Sequence, residues 1–176
     1  GTDLIEGFLL PGEYTLSSDA DETMMIIMML DAFGNFYNDD CSARADELGI
    51  TTRQLLVMAS MIEKETSVDK ERSIISGVIH NQINMELIKI DELPDKPLCS
   101  PSKESIMAAL YPDEHEYTYY VLDSTLDGTH RFTSDEAEYN ALLAEYEDAV
   151  KAETAAEEAD AAKEAEENTE SEGEGE

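Results

Sequence analysis

Basic residues are scarce in this chain: 11 Lys and Arg stand against 42 Asp and Glu among 176 residues, for a net charge of −31. That balance repels phosphate backbones and excludes nucleic acid as a partner. It also disfavours electrostatic attachment to an anionic membrane surface. Cysteine is nearly absent. Cys41 and Cys99 cannot build a disulfide framework, and their spacing suits no metal site. His80, His115 and His130 are scattered along the chain and read as core or surface residues, not as metal ligands. No apolar run is long: the longest, residues 24–30, is far too short to span a bilayer. A secretory leader is not visible either. The chain opens on Gly1 without Met and reads as a fragment whose natural N-terminus has been removed.

What is present suffices for a core. Hydrophobic residues make up 41% of the chain, and its length allows one domain of ordinary size with an appendage. The last 26 residues carry −9 of the charge and the first 150 carry −22, so the body itself is acidic. The expected division is a folded domain over residues 1–150 and an acidic, Ala/Glu-rich extension over 151–176, helical at first and then disordered.

Along the chain, residues 7–16 (GFLLPGEYTL) read as two short extended pieces around a Pro11-Gly12 turn. Ser18 is a candidate cap for a Met-rich helix from about Ala20 to Phe36, whose apolar face is expected to lie in the core. A short helix over residues 41–48 ends at Gly49. Thr51 and Gln54 have capping-box spacing and open a helix at residues 55–66. After a break at 67–69, a further helix is expected to run to about Lys89. Ser100 before Pro101 starts another helix, which stops near Pro112. YTYYVL at 117–122 and residues 129–132 read as a hairpin around Asp127-Gly128. Thr133 with Glu136 is a second capping box, before a long terminal helix. The class is α+β: a helix-rich single domain with a few short strands, including a hairpin near residues 117–132.

The helix at residues 55–66, LLVMASMIEKET, carries the chemistry. Its densest apolar arc is Leu55, Leu56, Met58, Ala59 and Ile62. At 100° per residue Glu63 lies about 60° from the centre of that arc and Glu65 about 100°. Glu63 therefore falls within the apolar stripe and Glu65 at its margin. Burial raises a carboxyl pKa, so Glu63 is expected to stay protonated near neutral pH, as a general acid must. The competing reading makes both glutamates the solvated end of an amphipathic helix.

Several segments in one order resemble a known family. EGFLLPGEY, from Glu6 to Tyr14, resembles the EGFLFPDTY segment of the YceG-like endolytic murein transglycosylases. ELGIT followed by LLVMASMIEKET resembles their LASIVEKET helix. ISGVIHNQI resembles the VFYNRL helix, LCSPSKESIMAALYP resembles IANPGLASIKAALNP, and YTYYVLDSTLDGTHRF resembles YLYFVADGDGGHVF. The resemblance covers roughly residues 3–146. It implies that Glu63 is catalytic and cleaves the β-1,4 bond between N-acetylmuramic acid and N-acetylglucosamine in peptidoglycan, leaving 1,6-anhydro ends. It implies Glu6, Tyr14, Glu65 and Asn81 as substrate-binding candidates, and a structural part in the hairpin for His130. No metal or organic cofactor is implied. The implied partners are peptidoglycan glycan strands and cell-wall synthases, on the outer face of a bacterial cytoplasmic membrane and anchored by a segment outside this chain.

The chain also departs from the pattern. Only residues 84–95 fill a space in which the family carries a long segment that helps to build the glycan groove. Gln82 stands where the family has Arg, and Ser100-Pro101-Ser102 replaces the NPG turn. Two readings follow: a working lytic transglycosylase domain, or a catalytically degenerate module of the same family that binds glycan or a cell-wall partner without cutting.

Overall fold

The computed structural model describes residues 5–173, with residues 162 and 164–173 described by backbone alone. The expected disorder at residues 174–176 lies outside the described residues. The class is α+β: among the described residues there are six α-helices, a short 3-10 helix at Ile90–Glu92 and one antiparallel hairpin. By internal contacts the chain divides into two compact units, the first ending at Thr118 and the second starting at Tyr119.

The first unit holds helices α1 (Glu22–Phe36), α2 (Asp39–Glu47), α3 (Thr52–Glu65), α4 (Asp69–Asn84) and α5 (Lys103–Leu110). Its core is built on α3. Leu55, Leu56, Met58, Ala59 and Ile62 are wholly buried, as the apolar arc predicts, and Val57 and Ser60 are buried with them. They pack with Ile75, Val78 and Ile79 of α4 and with Ile106, Ala109 and Leu110 of α5. Each such side chain contributes roughly 1.5–3 kcal/mol of transfer free energy. Ser60 is tolerated there because its hydroxyl donates to Val57 O and accepts from Leu98 N, at 2.7 and 2.9 Å. That pair ties the loop ahead of α5 to the middle of α3.

Helix ends follow local chemistry. The Thr51–Gln54 capping box at the start of α3 is formed in both directions. Gly49 takes φ +69° just beyond α2, a left-handed conformation that suits glycine. Four expectations need correction. Residues 5–16 form a turn and irregular chain, not two strands. Asp21, not Ser18, caps α1, accepting from Met24 N at 2.8 Å. α4 stops at Asn84, not near Lys89, because the chain turns through Glu86 at φ +57°. Ser102, not Ser100, caps α5, accepting from Ser105 N at 3.2 Å.

A fifth correction concerns α1. Only Phe33 of this helix is buried, while Met24, Met25, Ile26 and Ile27 are 49, 45, 38 and 50% exposed. The helix is apolar on nearly all sides in its first half, so periodicity could not select an inward face.

The second unit contains β1 (Tyr119–Leu122) and β2 (His130–Thr133), paired antiparallel with Tyr119 opposite Thr133 and Leu122 opposite His130. Helix α6 (Glu136–Gly173) follows. Its cap is Asp135, which accepts from Ala137 N and Glu138 N at 2.7 and 3.0 Å, and not Thr133 as the capping-box spacing predicts. Tyr139 of α6 stacks on Tyr119 of β1 with centroids 5.0 Å apart. Buried His130 has the Tyr120 ring edge-on at 5.6 Å, within the hairpin itself. Among the described residues no helix is long and apolar enough to cross a membrane.

Candidate active site

Glu63 lies in the last turn of α3, where the helix meets the N-terminus of α5 and the first turns of α4. Four donors converge on one of its oxygens. Oε2 accepts from Ser102 N at 3.0 Å, Ser102 Oγ at 2.5 Å, Ser105 Oγ at 2.6 Å and, more weakly, Arg72 Nη1 at 3.4 Å. The carboxylate thus sits at the start of a helix, where unsatisfied N–H groups and the helix dipole favour negative charge. Its side chain keeps 28% of its exposure, while Arg72 keeps 11%.

Each partner is placed by the local fold. Ser102 is the N-cap of α5, and Ser105 follows three residues later on the inward face. Pro97 and Pro101 are both buried and set the loop that delivers them. Gly7, at φ +85°, lets that loop close: a Cβ there would lie 2.5 Å from Pro97 Cγ. Arg72 is the fourth residue of α4. Its turn is held by Thr66, whose hydroxyl donates to Glu71 Oε2 at 3.2 Å and accepts from Val68 N at 2.9 Å. Arg72 Nη1 also donates to Ser105 Oγ at 2.7 Å, and its Nε faces Asp69 Oδ1 at 3.5 Å.

Partial burial by itself pushes the Glu63 carboxyl up. The Ser102 and Ser105 hydroxyls, the Ser102 N–H and the Arg72 charge act the other way and prevail, so the group lies below its usual range. This corrects the expectation of a neutral acid. The apolar stripe of α3 does reach Glu63, but at the last turn it abuts polar donors from two other helices. Cys99 is close by, with Sγ 3.7 Å from Ser60 O. Burial, and then the Glu63 charge, push its thiol up, so it rests neutral. Cys41 and Cys99 are both free thiols.

The other four residues singled out by sequence occupy different positions. Glu6 pairs with Lys96 at 3.3 Å, in a largely exposed contact. The Tyr14 hydroxyl donates to Leu10 O at 2.5 Å and closes its own turn. Glu65 is the exposed last residue of α3. Asn81 donates through Nδ2 to His115 O and Tyr117 O at 2.8 and 2.9 Å, strapping residues 113–117 along α4. It lies nine residues, about 14 Å of helix, beyond Arg72. Gln82 does similar work, donating to Thr118 O at 2.8 Å. None of these contacts draws Glu6, Tyr14 or Asn81 to the Glu63 carboxylate.

Sequence reading missed Arg72, Ser102 and Ser105 as site residues. A faint signal existed for Arg72: a cation near the start of a helix opposes the dipole, and this chain has few cations to place. The two serines look like ordinary capping chemistry. Among the described residues no group of three or more His, Cys, Asp or Glu side chains could hold a metal ion.

Comparison with known proteins gives this geometry a setting. The family model described as the YceG-like family matches residues 2–92 and 87–145. The two matched stretches overlap at residues 87–92, within the short segment 84–95 singled out from the sequence. The endolytic murein transglycosylase of Streptococcus pneumoniae serotype 2 (strain D39) is 22% identical over 179 residues, covering 81% of this chain and 32% of that protein. The endolytic murein transglycosylase of Bacillus subtilis (strain 168) is 23% identical over 174 residues, covering 81% and 48%. The chain therefore spans about a third to a half of the length of these relatives. The crystal structure of a yceG-like protein from Listeria monocytogenes superposes with a TM-score of 0.67 at 24% identity, over 78% of this chain and 55% of that one. That likeness speaks to the fold, and the family model spans both sides of the Glu63 cluster: this chain belongs to the YceG-like family.

Proposed function

We propose that the chain is a lytic transglycosylase domain acting on peptidoglycan glycan strands, with Glu63 as its sole acid and base. The carrying observation is the Glu63 cluster. One part-exposed carboxyl is fixed by donors alone, and Asp69 contacts the far side of Arg72 and not Glu63 itself. Ordinary glycosidases need two carboxyl groups facing the scissile bond. A single one suffices when the substrate supplies its own nucleophile.

In this reading protonated Glu63 gives its proton to the glycosidic oxygen as the bond from the muramyl anomeric carbon breaks. The bonding pair leaves with that oxygen. The muramyl 6-hydroxyl then attacks the anomeric carbon and yields its proton to the Glu63 carboxylate. The products are a free 4-hydroxyl on N-acetylglucosamine and a 1,6-anhydromuramyl end, with Glu63 restored as the acid. Family membership and relatives named endolytic murein transglycosylases support the substrate class. A murein substrate puts the reaction outside the cytoplasmic membrane, in the neighbourhood of cell-wall synthases.

A second reading, a module that binds glycan or a cell-wall partner without cutting, draws on the depressed Glu63 carboxyl and the short segment 84–95. Digestion of uncrosslinked glycan strands by the wild type and Glu63→Gln, with products read by mass spectrometry, separates the two. Anhydromuramyl ends from the wild type alone support the enzyme. Retained strand binding with no cleavage by either protein supports the binding module.

A further inference from the structure

The hydrogen-bond directions around Glu63 are fixed by the chemistry of the donors. Arginine offers N–H groups only, so the 2.7 Å contact between Arg72 Nη1 and Ser105 Oγ makes that hydroxyl an acceptor. Its one proton is then committed to Glu63 Oε2, 2.6 Å away. Ser102 Oγ likewise accepts from Ser105 N at 3.2 Å, which commits its proton to the same oxygen at 2.5 Å. With the Ser102 N–H added, Oε2 takes three short donors. An oxygen so occupied cannot carry a proton itself without turning hydrogen against hydrogen. Oε1 receives none of these donors.

Resting on the transglycosylase reading, we infer that Arg72 and Ser105 are positioning residues: they lock Oε2 as a permanent acceptor and make Oε1 the oxygen through which Glu63 gives and takes protons. Arg72 acts chiefly through Ser105, with a longer direct contact to Oε2 at 3.4 Å, and none of these contacts is to Oε1. The carboxyl is thereby oriented before substrate arrives, with one oxygen anchored and one presented. Of the neighbouring titratable groups, Asp69 stands behind Arg72 on α4 and the Cys99 thiol approaches from the loop before α5.

The test is a carbon-detected NMR titration of protein labelled with side-chain-carboxyl 13C-glutamate, in which the Glu63 signal is identified by its loss in Glu63→Gln. In Ser105→Ala and Arg72→Gln the Glu63 midpoint should move upward by about half to one pH unit. Ser105→Thr, which keeps the hydroxyl, should return it to the wild-type position. A merely structural role would lower the melting temperature of these variants and leave the midpoint in place. An unmoved midpoint in folded Ser105→Ala and folded Arg72→Gln would overturn the inference. Should Ser105→Ala fail to fold, Arg72→Gln alone decides. Glycan digestion by the same samples keeps the two claims apart. A shifted midpoint in a protein that never cuts strands upholds the positioning by Arg72 and Ser105 against the enzyme reading, and strand cleavage with an unmoved midpoint does the reverse.

Discussion

Ser102 meets Glu63 twice on the same oxygen, through its hydroxyl at 2.5 Å and its backbone N–H at 3.0 Å. The same hydroxyl caps α5 by accepting from Ser105 N. The helix start and the carboxylate anchor are therefore one piece of structure. Ser102→Ala removes the cap acceptor and one donor, and should cost about 1 kcal/mol in urea unfolding. Ser102→Thr retains both functions and should stay within about 0.5 kcal/mol of the wild type. Equal losses for the two variants would show that the hydroxyl matters for neither role.

Acid unfolding should report the same anchor. The Glu63 carboxyl is depressed in the folded protein, so the unfolded chain binds its proton at a higher pH. The stabilisation is complete above the ordinary carboxyl range and is lost as pH falls through the folded value. Denaturant unfolding of the wild type and Glu63→Gln should show a constant stability gap at pH 5 and above, narrowing below about pH 4.5. A gap that instead widens on acidification would mean a raised carboxyl, as burial alone predicts.

Much of this fold was legible because its signals are local and repeat. The apolar arc of α3, the Thr51–Gln54 box, the stop at Gly49 and the hairpin near residues 117–132 need only neighbouring residues to be recognised, although the hydrogen-bonded turn of that hairpin falls at Asp123–Leu126 and Asp127-Gly128 is only a bend. Periodicity likewise placed Glu63 within the apolar stripe, and the family resemblance singled it out as the candidate. Its environment was not, because Arg72, Ser102 and Ser105 reach it across 9, 39 and 42 residues of chain. The protonation state follows from those donors, and helical periodicity carries no information about them. The failure at α1 has a different origin: a run such as MMIIMML is apolar at every angle, so no face is marked.

On the transglycosylase reading proposed above, cleavage has a pH dependence of its own. An acid whose carboxyl is depressed in the free enzyme is mostly ionised at neutrality, so kcat/KM for strand cleavage should rise as pH falls from 7 toward 5, by up to about tenfold per unit. A profile that is flat across this range would remove Glu63 from the role of proton donor in the free enzyme.

The segment 113–117 lies against α4 at a point where only glycine fits. A Cβ on Gly77 would come within 2.5 Å of both Asp113 O and His115 Nε2. One of the two neighbours is backbone, itself tied down by the bond from Asp113 N to Ser73 O at 3.0 Å. Gly77→Ala should therefore destabilise by about 1–3 kcal/mol despite its better helix propensity, which alone would favour alanine by about 1 kcal/mol. Asn81→Ala, which frees the His115 and Tyr117 carbonyls, should loosen the same strap and raise amide exchange at residues 113–117. A stabilised Gly77→Ala would mean that the segment does not pack there.

Helix α1 gives the sharpest contrast between an apolar residue and a core residue. Ile27 is 50% exposed, whereas Ile62 of α3 is wholly buried, although both are isoleucines in apolar helical runs. Truncating Ile62 to alanine removes packed atoms on every side and should cost about 2–5 kcal/mol. Ile27→Gln keeps a long side chain, exchanges isoleucine for a residue of better helix propensity, and gives up only a half-solvated contact. Its cost should stay near 0.5 kcal/mol. The measurement is urea unfolding of the two variants at a protein concentration low enough to exclude self-association. A loss at Ile27 approaching that at Ile62 would restore the expectation that the Met-rich face of α1 is core. A small loss there would identify α3 as the helix whose apolar side chains hold the first unit together.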